Sequence, residues 1–499
     1  MLEKCKEDPK KDFVLFEDKN GLSESVSYES FEQKVRQLGA VLISHGIQKG
    51  DKVFLHLPNG TDFMVSWFAT LSIGAVMVPT NILSTKEELN YLVSHSESKI
   101  IITEKEYEEK FSDFQDLPLF FSRLKKNQKG TSLDEEMEKS ALLESFPSLS
   151  SQDEAAILYT SGTTSKPKGV VITHHNYLHT GEKMSGVLQL TSSDRTFIVL
   201  PMFHGNGQYY MAMPALYAGA SIAITEQFSA TNYVKQAKRM DATVGSLFSA
   251  PIKMILTKEH DNEDADNRLR LIIFAQSITD EQYTKFSSRY NTTLRQLYGM
   301  TETVAVPLIN SLDGPNDSSS IGQEACGYKI ILRDNDGAEV KDGWPGEITV
   351  HGIPGETLMK EYFKNEKDTA ETLQQNWLYT GDIALKDPKT GLYYFVDRKK
   401  DMMKRSGENI AAGEVESVIN EHDAVYESAV IGLPDPVYEE SIHAFIILKE
   451  NANVTEDEII QWCEQKMAKF KVPQAVYIVD EFPRTAVGKI QKQQLKTLI

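Results

Sequence analysis

Strand-like and helix-like periodicities alternate from the first residues of this chain. Phe13-Val14-Leu15-Phe16 is an apolar run of strand length, and a helical pattern follows over 28–45. Residues 52–57 predict a strand. No residue from 63 to 85 is charged, which raises the possibility of a membrane span. Gly74, Pro79, Asn81 and several hydroxyls argue instead for a buried helix over 62–72 and a strand over 75–79. A helix near 87–94 and a strand over 99–102 come next. Residues 107–150 are polar and weakly periodic, and read as a connecting region. Further strands are expected over 155–159, 170–172, 196–200, 221–225, 243–248, 270–274 and 293–298, with helical stretches between them. This alternation predicts mostly parallel α/β layers.

From Tyr328 the pattern changes to short strands separated by Asn335-Asp336-Gly337, Asp342-Gly343 and Pro345-Gly346. A small β subdomain ending near Asp397 is expected. The remaining residues predict a compact α+β unit: helix 412–422, strands 428–431 and 442–448, helix 456–467, strand 475–479 and a basic tail. No internal repeat or low-complexity segment is present.

At 499 residues the chain exceeds one ordinary core, so two or three domains are expected. A net charge of −19 argues against a nucleic-acid-binding surface, and anionic ligands then need locally basic sites. The clearest basic cluster is Arg398-Lys399-Lys400-Asp401-Met402-Met403-Lys404-Arg405. Cys5, Cys326 and Cys463 form no C-x-x-C, which suits a reducing compartment and a cytoplasmic location. The N-terminal stretch lacks the apolar core of a signal peptide, and no integral membrane segment is expected.

The chemistry concentrates in Thr160-Ser161-Gly162-Thr163-Thr164-Ser165-Lys166-Pro167-Lys168-Gly169. Two glycines allow tight turns, five hydroxyls offer donors and two lysines supply charge. These are the parts of a polyphosphate-binding loop. It is not a Walker loop, since no G-x-x-x-x-G-K-[ST] occurs. Taken alone it also fits a polar linker. Tyr298-Gly299-Met300-Thr301-Glu302 closes a strand, and ligands in α/β sheets gather beyond the carboxyl ends of strands. There Tyr298 can stack on a base, Thr301 bond a phosphate and Glu302 hold Mg²⁺, although a solvated strand-end Glu fits equally well. In Tyr379-Thr380-Gly381-Asp382 the Asp can accept ribose hydroxyls or simply cap a turn. Arg398 can reach a phosphate or sit in a solvated linker. Lys489, in Pro483-Arg484-Thr485-Ala486-Val487-Gly488-Lys489, can stabilise charge between a carboxylate and an α-phosphate, or be an exposed tail lysine. His174, His175 and His204 lack metal-ligand spacing, and His204 reads as a wall residue.

In this order and combination the motifs resemble the AMP-forming adenylating superfamily: acyl-CoA synthetases, adenylation domains of peptide synthetases and firefly-type luciferases. The likeness runs from about Ser27 to Lys496. A closer likeness is to the crotonobetaine/carnitine–CoA ligases. It rests on Pro201-Met202-Phe203-His204-Gly205-Asn206-Gly207-Gln208, on Gly352-Ile353-Pro354-Gly355-Glu356 through Lys360-Glu361-Tyr362-Phe363, and on Cys463 to Pro473.

The resemblance implies an α/β fold with a large N-terminal domain (1–397), a hinge (398–400) and a small mobile α+β C-terminal domain (401–499). It implies that Thr160, Ser161, Gly162, Thr163, Thr164 and Lys168 hold the β,γ-phosphates of ATP. Tyr298 and Thr301 would meet adenine and phosphate, and Glu302 would bind Mg²⁺. Asp382 would bind ribose with Arg398, and Lys404 would join the cofactor contacts. Lys489 would act in adenylation, and Lys400 takes the hinge position. His204, Tyr209 and Phe248 fall in the stretches that line the acyl pocket. Two departures stand out. Phe274-Ala275-Gln276-Ser277 replaces a Gly-rich adenine wall, and Asp397 stands where many members have Gly before Arg398.

The expected activity is ATP-dependent ligation of a small carboxylate to CoA through an acyl-adenylate, on crotonobetaine/carnitine-type or other short acids. A stand-alone enzyme that loads a carrier protein and a non-catalytic nucleotide-binding protein stay open, as does luciferase-like oxygenation. Whether the chain is a monomer or homodimer is not encoded in these motifs.

Overall fold

A computed structural model describes every residue except 161–165, 262, 315, 406–407 and 485–489, together with the side chains of 408 and 409. Two compact units are present. Met1–Thr160, Pro167–Lys329 and His351–Leu378 belong to the first, and Ile330–Val350 and Tyr379–Ile499 to the second.

The first unit holds two sheets. One runs in the order Glu361–Tyr362, Lys168–Thr173, Glu154–Thr160, Val76–Pro79, Lys52–His56, Ser98–Glu104, Leu119–Ser122, Thr131–Ser132. From Glu154–Thr160 onward its pairs are parallel. Lys168–Thr173 and Glu361–Tyr362 add antiparallel. The other sheet runs Gln323–Glu324, Leu308–Ile309, Thr293–Tyr298, Leu271–Ala275, Val244–Phe248, Arg195–Ile198, Ser221–Thr225, Asp12–Glu17, Ser23–Ser27. It is parallel except at its two ends. All of Val76–Pro79 and Ser221–Thr225 is buried, as strands covered on both faces must be, so their sequences are continuous rather than alternating.

Arg195–Ile198 pairs with Ser221–Thr225 on one side and Val244–Phe248 on the other. The order of strands reverses there, the place where ligands gather beyond the carboxyl ends in open α/β sheets. His204 follows the first of these strands and Phe248 closes another.

The parallel layers follow the expected alternation closely. The uncharged stretch is the buried helix Thr61–Ser72 and the strand Val76–Pro79, and among the described residues no helix is long and apolar enough to cross a membrane. The region 107–150 differs from its polar reading. Leu119–Ser122 and Thr131–Ser132 extend the sheet edge, and the helix Leu133–Lys139 follows. Phe120 and Phe121 are buried there, but the strands are too short to register as a period.

The N-terminal strand Asp12–Glu17 sits inside the second sheet, parallel to Ser221–Thr225 with Val14 opposite Ile222. Ser221 Oγ donates to Asp12 O at 2.6 Å across 209 residues of sequence, and Tyr28 Oη donates to Ala220 O at 2.7 Å.

A five-stranded sheet of Lys329–Arg333, Pro345–His351, Trp377–Lys386, Leu373–Gln374 and Tyr393–Arg398 falls mostly within the second unit. That unit's other sheet is Glu408–Ala411, Met402–Arg405, Glu439–Leu448 and Val425–Asp435, with Ala475–Ile478 parallel to Glu439–Leu448. The helices Ala412–Asn420 and Glu456–Lys466 pack a core of Val415, Ile419, Ile442, Ile446, Ile459 and Cys463 onto it. Val425–Asp435 is much longer than the predicted 428–431. Its ladder continues through Leu433–Ser441 and Pro434–Glu440, where charge and proline conceal the strand.

Gly322 shows how tightly the edge of the second sheet closes. Its φ is +95°, and a Cβ there would fall on the backbone of Ile309 and Asn310. Gly322→Ala is expected to cost about 3 kcal/mol, through backbone strain and displacement together. Gly21 has φ +82° in open space, so Gly21→Ala should cost only about 1–2 kcal/mol. Thermal unfolding of the two variants against the unsubstituted protein separates the contributions. Equal losses would contradict the close approach.

Candidate active site

Thr293–Tyr298 ends at Gly299, and the chain turns through a single 3₁₀ turn, Thr301–Thr303. Thr303 Oγ1 donates to Met300 O at 2.9 Å and accepts from Met300 N at 3.1 Å, which closes the turn on itself. Tyr298 is buried at the end of its strand, and Thr301 is half-buried. A Cβ on Gly299 would stand 2.5 Å from Tyr210 Oη, so only glycine lets the two elements meet this closely. Glu302 is 5% exposed. Its main-chain carbonyl accepts from Met359 N at 2.9 Å.

The segment 355–363 is stitched between this turn and the strand Lys168–Thr173. Thr173 Oγ1 donates to Gly355 O at 2.6 Å, and Asn176 Nδ2 donates to Glu356 O at 2.7 Å and Leu358 O at 2.9 Å. The same Thr173 and Asn176 form the capping box of the helix His174–Val187. Lys360 N then donates to Val171 O at 2.9 Å and Phe363 N to Gly169 O at 2.7 Å.

This path delivers Tyr362 to Glu302. Tyr362 Oη donates to Glu302 Oε1 at 2.8 Å, and burial, with the Glu302 charge next, raises the Tyr362 phenol well above its ordinary range. Lys168 Nζ lies 4.9 Å from the centre of the Tyr362 ring and 2.5 Å from Asp368 Oδ2. The bond from Lys168 holds the Asp368 carboxyl below the usual carboxylate range. Asp368 is fixed in turn at the start of the helix Glu366–Thr372, where Asn365 Oδ1 accepts from Asp368 N at 3.1 Å. Glu302 and Lys168 therefore meet on opposite parts of one tyrosine.

Thr160 pairs with Lys168 across an antiparallel ladder, and Thr160 Oγ1 donates to Lys168 O at 3.4 Å. Ser161, Gly162, Thr163 and Thr164 lie outside the described residues.

At the strand reversal, His204 is half-buried with its ring 4.2 Å from that of Phe203. Tyr209 lies in a π-helical stretch, Asn206–Ala212, and is 1% exposed. Its ring packs where a Gly205 Cβ would stand, and its phenol has no hydrogen-bond partner among the described residues. Phe248 is half-buried against the core around Tyr233 and Leu247. Gln276 has φ +71° and accepts from Ser249 Oγ at 3.1 Å.

In the second unit Asp382 faces Arg398 across an antiparallel pair, with Oδ1 3.6 Å from Arg398 Nε. Lys399 Nζ donates to Glu347 Oε2 at 3.0 Å, and Glu347 Oε1 accepts from Gly381 N at 2.9 Å, which fixes the turn before Asp382. Burial, and then the neighbouring Arg398, lowers the Lys400 ammonium pKa. Lys404 is exposed. Asp397 has a structural use that its departure from glycine did not reveal. Its Oδ1 accepts from Arg398 N at 2.7 Å and its Oδ2 from Gly413 N at 2.9 Å, in the first turn of Ala412–Asn420. Lys489 lies outside the described residues.

Residues 2–363 match the family model of AMP-binding enzymes, and 414–489 match that of the AMP-binding enzyme C-terminal domain. The chain belongs to the AMP-binding enzyme family. It is 35% identical to the crotonobetaine/carnitine–CoA ligase of Citrobacter koseri over 97% of this chain and 95% of the relative. It is 36% identical to that of Salmonella paratyphi A over the same shares. Among solved structures, ATP-bound MatB from Rhodopseudomonas palustris superposes with a TM-score of 0.89 at 25% identity, covering 98% of this chain and 96% of that one. A benzoate CoA ligase from Burkholderia xenovorans shares the fold with a TM-score of 0.88 at 24% identity, covering 99% and 98%. The protein is an AMP-forming acid–CoA ligase, whose substrates are ATP, CoA and a small carboxylate. The resemblance drawn from its motifs and the α/β fold class are both borne out.

Sequence reasoning passed over Tyr362 and Asp368. Tyr362 lay in a quoted family segment but had no visible chemistry. Nothing in the helix Glu366–Thr372 set Asp368 apart from its charged neighbours.

The contact between Gly299 and Tyr210 is open to a direct test. Gly299→Ala should destabilise the protein by roughly 1–3 kcal/mol, the usual cost of an overpacked site. Adding Tyr210→Phe removes the oxygen in the way and should restore at least half of the loss. Thermal unfolding of the four proteins in a double-mutant cycle measures the coupling. Additive losses would show that the two groups do not meet.

Proposed function

We propose that this ligase activates a betaine-type short acid, crotonobetaine or carnitine, and passes it to CoA. In the first step a carboxylate oxygen attacks the α-phosphorus of ATP and pyrophosphate leaves, giving an acyl-adenylate. In the second the thiolate of CoA attacks the acyl carbonyl and AMP leaves. Charge neutralisation and positioning carry the first step. The observation behind the site reading is the meeting of Glu302 and Lys168 on Tyr362. It brings an anion suited to a hard cation and a cation suited to phosphate to the same strand ends.

Glu302 fits Mg²⁺ by its donor chemistry: a single buried carboxylate, oxygen only, in a turn beyond a parallel strand. Such a site leaves the remaining coordination to water and phosphate. When bound, Mg²⁺ neutralises charge on the β- and γ-phosphates. On this reading Thr160, Lys168 and the loop residues 161–164 hold those phosphates, and Tyr298 and Thr301 meet adenine and the α-phosphate. Asp382 and Arg398 take the ribose, Lys404 adds a cofactor contact and Lys489 stabilises the adenylation transition state. Residues 398–400 form a hinge between 1–397 and 401–499, with Lys400 at its pivot. The reaction belongs to the cytoplasm.

The likeness to crotonobetaine/carnitine–CoA ligases along nearly the whole chain supports the acid assignment. A trimethylammonium group cannot donate a hydrogen bond and is met by aromatic faces. Phe248, at the end of its strand, and His204, in the segment after the neighbouring strand, are half-buried rings suited to this, while Tyr209 is buried against Gly205.

CoA-dependent AMP production across a panel of carboxylates tests this reading. We expect the highest kcat/KM for crotonobetaine or carnitine, with selectivity over neutral acids reduced by Phe248→Leu. A higher kcat/KM for medium-chain fatty or aryl acids would overturn the acid assignment. AMP release with carrier proteins but not with CoA would favour a carrier-loading enzyme.

Lys400→Pro fixes φ at the pivot. Two half-reactions with different nucleophiles call for different surroundings, which domain rotation supplies. Pyrophosphate release should persist while thioester formation from supplied acyl-AMP falls at least tenfold. Unchanged overall ligation would remove Lys400 from the pivot.

A further inference from the structure

We infer that Tyr362 is a positioning residue for adenylation, and that it sets the metal-site carboxylate and the phosphate-loop lysine against each other through opposite parts of one side chain. The inference rests on the roles proposed above for Glu302 and Lys168.

Three observations carry it. Tyr362 Oη donates to Glu302 Oε1 at 2.8 Å, so this oxygen is oriented by a fixed donor. The Lys168 ammonium lies 4.9 Å from the centre of the Tyr362 ring, within the range of attraction between a cation and an aromatic face. The ring itself has little freedom. Tyr362 is 6% exposed, Glu361–Tyr362 pairs with Val170 and Val171, and Tyr362 N donates to Thr369 Oγ1 at 2.9 Å.

A buried carboxylate and a flexible lysine otherwise have no common reference. Lys168 carries a long aliphatic stem with several rotatable bonds, and Asp368 draws its ammonium to one side. The tyrosine ring gives the same ammonium a second, fixed contact. When the triphosphate arrives, Lys168 can exchange Asp368 for a phosphate oxygen while it stays on the ring. The hydroxyl meanwhile keeps the Glu302 carboxylate from rotating, and an oriented first ligand is what a small, geometrically demanding cation requires. Tyr362 touches neither the reacting carboxylate nor the α-phosphorus on this account. It acts through the two residues that do the binding.

The test separates hydroxyl from ring. Tyr362→Phe removes only the donor, and Tyr362→Leu removes the ring as well. For Tyr362→Phe we expect the Mg²⁺ concentration for half-maximal pyrophosphate release to rise about tenfold. Calorimetric affinity for Mg·ATP should fall, while affinity for ATP without divalent cation stays within twofold. Tyr362→Leu should in addition weaken metal-free ATP binding at least threefold, and that extra loss should vanish in a Lys168→Ala background. Thermal unfolding identifies any variant that fails to fold. If Tyr362→Phe does so, the Lys168-dependent part of the Tyr362→Leu effect decides. An unchanged Mg²⁺ requirement in folded Tyr362→Phe overturns the hydroxyl's role. A Tyr362→Leu loss that persists without Lys168 overturns the ring's role. Glu302→Gln serves as the control for the underlying reading. If it also leaves Mg²⁺ dependence unchanged, the metal-site assignment falls, and this inference with it. If it shifts the dependence and Tyr362→Phe does not, only the inference falls.

Discussion

The antiparallel return of Glu361–Tyr362 along Lys168–Thr173 is the constraint on which the arrangement of charge depends. A parallel sheet presents its strand ends as separate loops, and nothing in a parallel ladder ties one loop to another. Here a strand of only two residues crosses back over Lys168–Thr173. Bonds to Gly355, Glu356 and Leu358 hold the approach on one side, and bonds to Gly169 and Val171 on the other. These are mostly main-chain or main-chain-directed bonds, so they fix position with little dependence on side-chain rotamers. The side chains that meet there, Tyr362, Glu302 and Lys168, inherit that precision.

The second unit uses a comparable economy around Asp397. One carboxylate bonds its neighbour's amide and an amide in the first turn of Ala412–Asn420. Nearby, Lys492 donates to Glu416 Oε1 at 2.7 Å, and the acidic groups around it, Glu416 and Asp397 foremost, keep Lys492 protonated despite its burial. A residue that replaces glycine thus adds a tether where glycine would have added freedom.

Much of the fold could be read from periodicity, because the central strands are continuous apolar runs bounded by turn residues. Residues 155–159, 221–225 and 293–298 are clear for this reason. The edge strands at 119–122 and 131–132 are too short for any period to emerge, and the hairpin of Val425–Asp435 hides behind proline and acidic residues. The site divides along similar lines. The loop 160–169 and the turn 298–302 stand out by composition as candidate binding segments, since their distinctive residues are adjacent in sequence. Tyr362 and Asp368 do not. Tyr362 reads as one more half of an apolar pair with Phe363, and Asp368 as one more charge on a polar helix. Both gain meaning only through contacts with residues far away in sequence, and no local pattern encodes such a contact. His204, Tyr209 and Phe248 show the reverse case. His204 and Phe248 lie half-buried near the strand reversal, while Tyr209 is buried.

The placement of Asp12–Glu17 has a consequence for the order of events during synthesis. This strand is translated before Ser221–Thr225 and can pair at once with Ser23–Ser27 as a hairpin. Its other edge belongs to Ser221–Thr225, which is translated much later. Throughout that interval the hairpin presents an unpaired ladder edge and the apolar faces of Phe13, Val14 and Phe16. Such an edge is a template for wrong partners, and closure over so long a loop is slow. The nascent chain therefore carries this open edge until Ser221–Thr225 has been made. Chaperone engagement with this hairpin becomes a natural point of control over yield.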